Sequence, residues 1–444
     1  MPLCLCHFVP VFVIMKTIRF GIIGAGLMGR EFASAAARWC HLLDMPARPE
    51  LVAVCDKNPA IFEWYRTNFQ TISQYTDDYR KMLANPDVDA VYCAVPHNLH
   101  EEIYCAIIKS GKHLMGEKPF GIDLKANMAI MAELRRHPSV FARCSSEFPF
   151  FPAVQRIAVM IEKGAFGQVI EVNAAFLHSS DLDPTKPINW KRMVEINGEY
   201  GVMGDLGLHV CHVPFRAGWI PKNVRAILSD IVKERPDGKG GRAPCKTWDN
   251  ATLLCETIDP ETNDPFPMIL KTQRIAPGEK DTWRIEILGT KASARFSTKN
   301  PKRLEIMEYQ GNGASCGKPQ GDFARLGGAS GEAWAEPSVA TSEARAKEGE
   351  QVWQMIDMGY EPAFKTITGG IFEFGFTDAI LQMWAAFVFE MTEGKPFAKF
   401  AGCVTPEETA LSHKLFTAAL ESQAKQSVVT IKNSHKDAQE AQGL

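Results

Sequence analysis

The run from Ile18 to Ile23 is apolar and β-branched, Gly24-Ala25-Gly26-Leu27-Met28-Gly29 follows it, and an Ala-rich stretch continues from Arg30 to Trp39. That order predicts a strand, a glycine turn and a helix. Leu51 to Cys55 (LVAVC) predicts a second parallel strand ending at Asp56, and Asp89 to Val95 (DAVYCAV) a later one. The mixed segment Phe62 to Ala84 between them reads as mostly helical. A helix is expected from His100 to about Lys109, stopped by Gly111, then a short strand at His113-Leu114-Met115 ahead of Glu117-Lys118-Pro119.

Val140 to Cys144 begins the exit from this first unit, and a helix from Ala153 to Lys163, closed by Gly164, opens the next. The period then changes to long strands: Val169 to Phe176, Val224 to Val232, Ala251 to Ile258, Pro267 to Ile275, Trp283 to Leu288, Ala292 to Ser297 and Leu304 to Tyr309. Consecutive strands at this spacing imply a large, mainly antiparallel sheet. Residues 311–350, rich in Gly, Ala, Ser and Glu, read as a surface excursion, and helical periodicity returns from Phe376 to Thr392 and from Pro406 to Lys425. The expected class is α/β: a doubly wound parallel sheet in residues 15–145, then an α+β domain with an open antiparallel sheet in 146–432. Residues 1–14 read as a non-structural extension and 433–444 as a tail.

Composition changes this picture little. With 45% hydrophobic and 23% charged residues the chain can build a large core, and a net charge of −3 gives no electrostatic reason to expect nucleic acid. Most of the twelve cysteines, such as Cys55, Cys93, Cys105, Cys144, Cys211 and Cys255, lie in apolar runs without regular pairing, the pattern of thiols in a reducing compartment. The apolar stretch before Met15 is too short to span a membrane and lacks Lys or Arg. A cytoplasmic protein without membrane or nucleic-acid partners is expected.

The glycine turn carries the first chemistry. In a strand-to-helix turn the first glycine permits the tight bend, the second lets backbone approach a pyrophosphate, and the third allows close packing of a helix whose N-terminus faces the phosphates. Gly24, Gly26 and Gly29 fit these places, with Leu27 and Met28 between them. Asp56, at the end of the next strand, would accept from the adenosine ribose hydroxyls and repel a 2′-phosphate, so NAD is expected over NADP. Its distance from Gly29 exceeds the usual ~20 residues, the extra length falling in the Pro46/Pro49 segment.

Taken together, GIIGAGLMG, VPHNLH (Val95 to His100), GKHLMGEKP (Gly111 to Pro119) and GDLGLHVCH (Gly204 to His212) resemble the Gfo/Idh/MocA oxidoreductases, in order and spacing, from Met15 to Ile431. The resemblance implies a polar site made by Lys118 of EKP and by Asp205 and His209 of Asp-x-x-x-His. It also implies a cofactor loop at Val95, Pro96, His97, Asn98 and His100, and a nicotinamide-ribose contact at Glu117. Trp190-Lys191-Arg192 is similar to the family's segment bordering the substrate pocket. Oxidising a secondary alcohol requires a base near the hydroxyl. His209 is ranked as that base, Asp205 as orienting substrate or imidazole, and Lys118 as a hydroxyl-binding relay whose pKa should fall near a cationic nicotinamide.

Two departures stand out. Where many relatives carry Asn-x-Arg, SSEFPFFP supplies Glu147 and Phe148 and no arginine, which argues against recognition of an anionic or highly polar group there. The common His-x-x-Asp becomes His209-Val210-Cys211-His212, making His212 a candidate second substrate ligand, while the lack of carboxylates at clear spacing argues against a metal. The expected activity is hydride transfer between NAD and a secondary hydroxyl of a sugar, glycoside or cyclic polyol, C3 of a pyranoside included, by a homo-oligomer, dimer or tetramer. Two other readings stay open: a glycoside-cleaving enzyme using transient oxidation and elimination, and a non-catalytic NAD or sugar sensor.

Overall fold

The computed structural model describes residues 15–309, 351–359, 362–368 and 374–432. The expected extension 1–14, excursion 311–350 and tail 433–444 lie outside the described residues.

The first half alternates strand and helix: β1 (Lys16–Ile23), α1 (Leu27–Ala37), β2 (Ala47–Cys55), α2 (Phe62–Asn68), β3 (Gln74–Thr76), α3 (Tyr79–Leu83), β4 (Ala90–Cys93), α4 (His100–Lys109), β5 (His113–Gly116), α5 (Leu124–Arg136) and β6 (Ala142–Cys144). Its six strands are all parallel in the order β3-β2-β1-β4-β5-β6. β4 is buried at every position, as expected of a central strand covered on both faces. The strand order reverses between β1 and β4, so the crevice beyond their carboxyl ends lies between the glycine turn and the 94–99 loop. Phe62 to Ala84 is two short helices separated by β3 rather than mostly helical, because Gln74–Thr76 pairs with the end of β2.

The second half contains α6 (Pro152–Glu162), β7 (Val169–Leu177), α7 (Val194–Asn197), α8 (Val202–Arg216), β8 (Pro221–Ser229), a small β9 (Glu234–Pro236) and β10 (Arg242–Pro244) ribbon, β11 (Asn250–Ile258), β12 (Pro265–Gln273), β13 (Thr282–Gly289), β14 (Ala292–Ser297), β15 (Arg303–Glu308), β16 (Gln354–Asp357), α9 (Phe376–Glu393), α10 (Pro406–Lys425) and β17 (Val429–Thr430). Nine strands form one sheet in the order β16-β15-β14-β13-β7-β12-β11-β8-β17, antiparallel except where β12 meets β7. β11 and β12 alternate buried and exposed positions, so one face carries the core and the other stands open. The strand expected over Val224 to Val232 lies earlier, at Pro221–Ser229. Beyond Ser229 the Ile231 and Val232 N–H groups turn to the Asp249 carboxylate, at 2.6 and 2.9 Å, instead of to β11.

Two helices of the second half join it to the first, α9 and also α10, which packs on α5 and β6. α8 is buried along its whole length between the nine-stranded sheet and α10. α9 returns to the first sheet, where Trp384 stacks on Phe32 of α1 at 3.7 Å and meets Phe20 and Tyr92 edge-on. Among the described residues no helix is long and apolar enough to cross a membrane.

Candidate active site

At the crevice, Gly24 has φ +87° and a Cβ there would collide with the Ala94 carbonyl, while one at Gly29 would lie 2.7 Å from the Gly24 oxygen. Gly26, by contrast, has nothing within 4 Å of where a Cβ would stand. No side chain caps α1, whose first turn holds no acidic residue, so the amides at its start have no side-chain acceptor. A tight turn, an open second glycine and an uncapped helix start suit the pyrophosphate of a dinucleotide. The Asp56 carboxylate accepts from Ala25 N and Asn58 N, both at 2.8 Å, which sets its charge at the rim of the turn. Leu27 is exposed and Met28 half-buried beside it.

Across the crevice, Val95 and Pro96 are half-buried and Asn98 is exposed. His100, expected with the cofactor loop, has neither ring nitrogen left for a ligand. Nε2 donates to Val95 O at 3.0 Å and Nδ1 accepts from Gly121 N at 3.2 Å, so the ring ties this loop to the one carrying Lys118. His97 is held by the Asn197 carbonyl at 3.0 Å and packs edge-on to Trp190. Glu117 is buried, and its Oε1 accepts from Tyr92 at 2.6 Å and Ser145 at 2.7 Å.

The polar centre is built around Asp205, in the first turn of α8. Lys118 Nζ donates to its Oδ1 at 2.8 Å and its carbonyl at 2.7 Å, Lys191 Nζ donates to Oδ2 at 3.0 Å, and Arg274 binds Oδ2 as well. Burial alone would raise the Asp205 pKa, but these cations hold it well below the usual carboxylate range. Burial likewise opposes charge on Lys118, yet Asp205 and Glu117 together outweigh it and lift the ammonium above the ordinary lysine value. At this centre it is Lys191 that falls, to about 8, through burial.

His209, one turn beyond Asp205, shares a 2.9 Å hydrogen bond between Nδ1 and Ser146 Oγ, and no hydrogen-bond partner meets Nε2 among the described residues. Its ring is walled by Phe148 and Phe176 edges at 5.1 and 5.4 Å. Burial first, then the nearby Lys118 charge, keeps the imidazole neutral. Ser146, not Asp205, orients this ring.

Two expected substrate residues lie elsewhere. His212 binds Glu408 Oε1 at 3.0 Å, and Glu408 also pairs with Arg216, so this imidazole belongs to the contact between α8 and α10. Arg192 is fully buried in ion pairs with Asp181 and Asp249, which fasten loops behind the site. Trp190 and Lys191 remain at the pocket, half-buried, and Glu147 is buried beside it.

Sequence reasoning missed Arg274, His178, Asp281 and Asp181. Arg274 ion-pairs with Asp181 at 2.9 Å, and His178 lies 3.2 Å from Asp281. A signal existed: Phe266, Met268, Leu270 and Thr272 are the inward positions of β12, and Arg274 continues that alternation. His178 continues the inward phase Val172, Ala174, Phe176 of β7 in the same way.

Residues 18–143 match the oxidoreductase family model with an NAD-binding Rossmann fold, and residues 154–295 match the GFO/IDH/MocA C-terminal domain. The chain belongs to the GFO/IDH/MocA oxidoreductases. It is 26% identical over 306 residues to levoglucosan dehydrogenase of Pseudarthrobacter phenanthrenivorans, covering 66% of this chain and 76% of that one. It is 24% identical over 310 residues to glucose-6-phosphate 3-dehydrogenase of Bacillus subtilis, covering 68% and 80%. The solved structure of levoglucosan dehydrogenase in complex with NADH and L-sorbose shares the fold with TM-score 0.75 at 22% identity, over 95% of this chain and 100% of that one. As a GFO/IDH/MocA protein, the chain carries the family's NAD-binding Rossmann domain and its oxidoreductase character.

Proposed function

We propose that this oxidoreductase is an NAD-dependent dehydrogenase acting on a secondary hydroxyl of a sugar, glycoside or cyclic polyol. The observation that carries the reading is a neutral imidazole with an open Nε2, beside a lysine held cationic by a buried aspartate. With Nδ1–H donating to Ser146, Nε2 of His209 is the lone-pair acceptor for the hydroxyl proton. Lys118 has three donors and gives two to Asp205, which leaves one for the hydroxyl oxygen as negative charge grows on it. Gly24, Gly26 and the start of α1 would hold the pyrophosphate of NAD and Asp56 its adenosine ribose, the aspartate charge disfavouring a 2′-phosphate, and the cofactor would supply the hydride acceptor.

Val95, Pro96, Asn98 and Glu117 would line the nicotinamide half, and Trp190 offers an indole face to sugar C–H bonds. The levoglucosan dehydrogenase complexed with NADH and L-sorbose supports a ligand of this class. Lys118→Ala and His209→Ala are each expected to lower turnover by about two orders of magnitude while calorimetric NAD affinity stays near native. Unchanged turnover in either variant refutes its role, and product cleavage without net NADH formation refutes simple dehydrogenation.

A further inference from the structure

Glu147 is 6% exposed and sits between Ser146, which holds His209, and Phe148, which walls it, at the start of the short turn Phe148–Phe150. Two loops and a strand bring charged or titratable groups toward its carboxyl: Glu117 and Lys118 after β5, Asp281 before β13, and Tyr92 on β4. Its own backbone N–H is its donor, and no cation or side-chain donor binds it among the described residues.

The cations nearby are matched already. Lys118 and Lys191 bind Asp205, Arg274 binds Asp205 and Asp181, and Arg192 binds Asp181 and Asp249. Glu117 is held by neutral hydroxyls, and Asp281 faces His178, whose imidazole burial keeps neutral. The site thus offers no surplus positive charge to an incoming anion, and desolvating an unpaired anion is costly.

We infer that Glu147 serves as a neutral carboxylic acid that donates a hydrogen bond to an uncharged substrate oxygen and turns away substrates bearing phosphate or carboxylate. Burial, with Glu117 and Asp281 adding to it, pushes this carboxyl up to about 8 against the pull of its own N–H and of Lys118, so near neutral pH it keeps its proton. Protonated, it is a donor; ionised, it only accepts and adds one more negative charge to the pocket. The inference rests on the dehydrogenase reading and names its substrate class.

The test follows NADH formation by the full chain on levoglucosan, D-glucose and myo-inositol against D-glucose 6-phosphate and D-glucuronate. Neutral probes are expected to exceed anionic ones in kcat/KM by about a hundredfold, a difference in transition-state binding. In a Lys191→Arg background, which removes the other site group drawn to about 8, kcat/KM on a neutral probe should fall about thirtyfold from pH 7 to pH 9.5 as Glu147, of pKa about 8, ionises, and adding Glu147→Gln, which cannot ionise, should remove that limb. Equal kcat/KM for D-glucose and its 6-phosphate, or an alkaline limb that persists when Glu147→Gln is added to Lys191→Arg, overturns the inference and leaves the dehydrogenase reading standing. Absence of NADH with every probe overturns the dehydrogenase reading and this inference together.

Discussion

Replacing Asp205 by Asn keeps its shape and removes the charge on which three cations converge. Lys118, Lys191 and Arg274 would then face one another in a site where the aspartate side chain is 1% exposed, so solvent screens little of their repulsion. Removing one partner from a buried ion pair costs roughly 3–5 kcal/mol, which for a domain of this size lowers the melting temperature by roughly 10 °C. The loss must depend on pH. Without Asp205, only Glu117 still opposes burial and the Arg274 charge on Lys118, and its folded-state pKa drops below the unfolded value. Between those two values the unfolded chain binds more protons, so the variant regains stability as pH rises.

Thermal melts followed by circular dichroism, native against Asp205→Asn at pH 6 and pH 9, measure both effects. The deficit should be large at pH 6, smaller at pH 9, and little changed by salt. A variant melting within about 2 °C of native at pH 6, against the expected cost, or a deficit that is the same at both pH values, would refute the charge-locked arrangement.

Other outcomes follow from single contacts. Gly26→Ala, where nothing lies within 4 Å, should keep the melting point near native and weaken NAD binding at least about tenfold, whereas Gly24→Ala, at φ +87° against the Ala94 carbonyl, should lose both, read by calorimetry and thermal melts. His413 Nε2 donates to Pro119 O at 2.8 Å and so steadies the residue after Lys118. His413→Leu should cost about 1–3 kcal/mol in stability and lower kcat with NAD affinity intact, and His413→Gln, which keeps a donor, should recover much of the kcat. Burial would raise the Glu408 pKa, but Arg216 and His212 draw it down to about 2. Its stabilisation is full above the unfolded value of about 4.3 and is lost as pH falls toward 2, about 3 kcal/mol in all; acid unfolding of Glu408→Gln should lack that component.

The parts of the fold readable from the sequence are those whose signal is local. The helix His100–Lys109 and strand Ala292–Ser297 coincide with their patterns, because a stop at Gly111 or a run of alternating residues needs no distant partner. β3 and β17 escaped notice since three- and two-residue strands carry too few positions for a period, and only pairing with β2 and β8 makes them strands. The site divides the same way. Gly24, Lys118, Asp205 and His209 sit in contiguous motifs, whereas Ser146, His178 and Arg274 become neighbours only when β7, β12 and the 145–148 turn meet α8.

His212 shows why spacing alone misassigns a role. On a helix of 3.6 residues per turn, positions 205, 209 and 212 share nearly one azimuth, so the pattern Asp-x-x-x-His-x-x-His reads as three ligands for one pocket. Each residue also advances ~1.5 Å along the axis, and His212 therefore stands roughly 10 Å beyond Asp205. At that level α8 lies against α10, and Glu408, fixed by Arg216 and by its capping contact to Thr405 N at 2.8 Å, takes the imidazole. At the level of His209 the neighbours are instead Ser146 and two phenylalanine edges, which fill one nitrogen and leave the other open. Azimuth selects which side chains face inward, but height along α8 decides whether a histidine meets the contact with α10 or the crevice, and only the second can take a proton from a substrate.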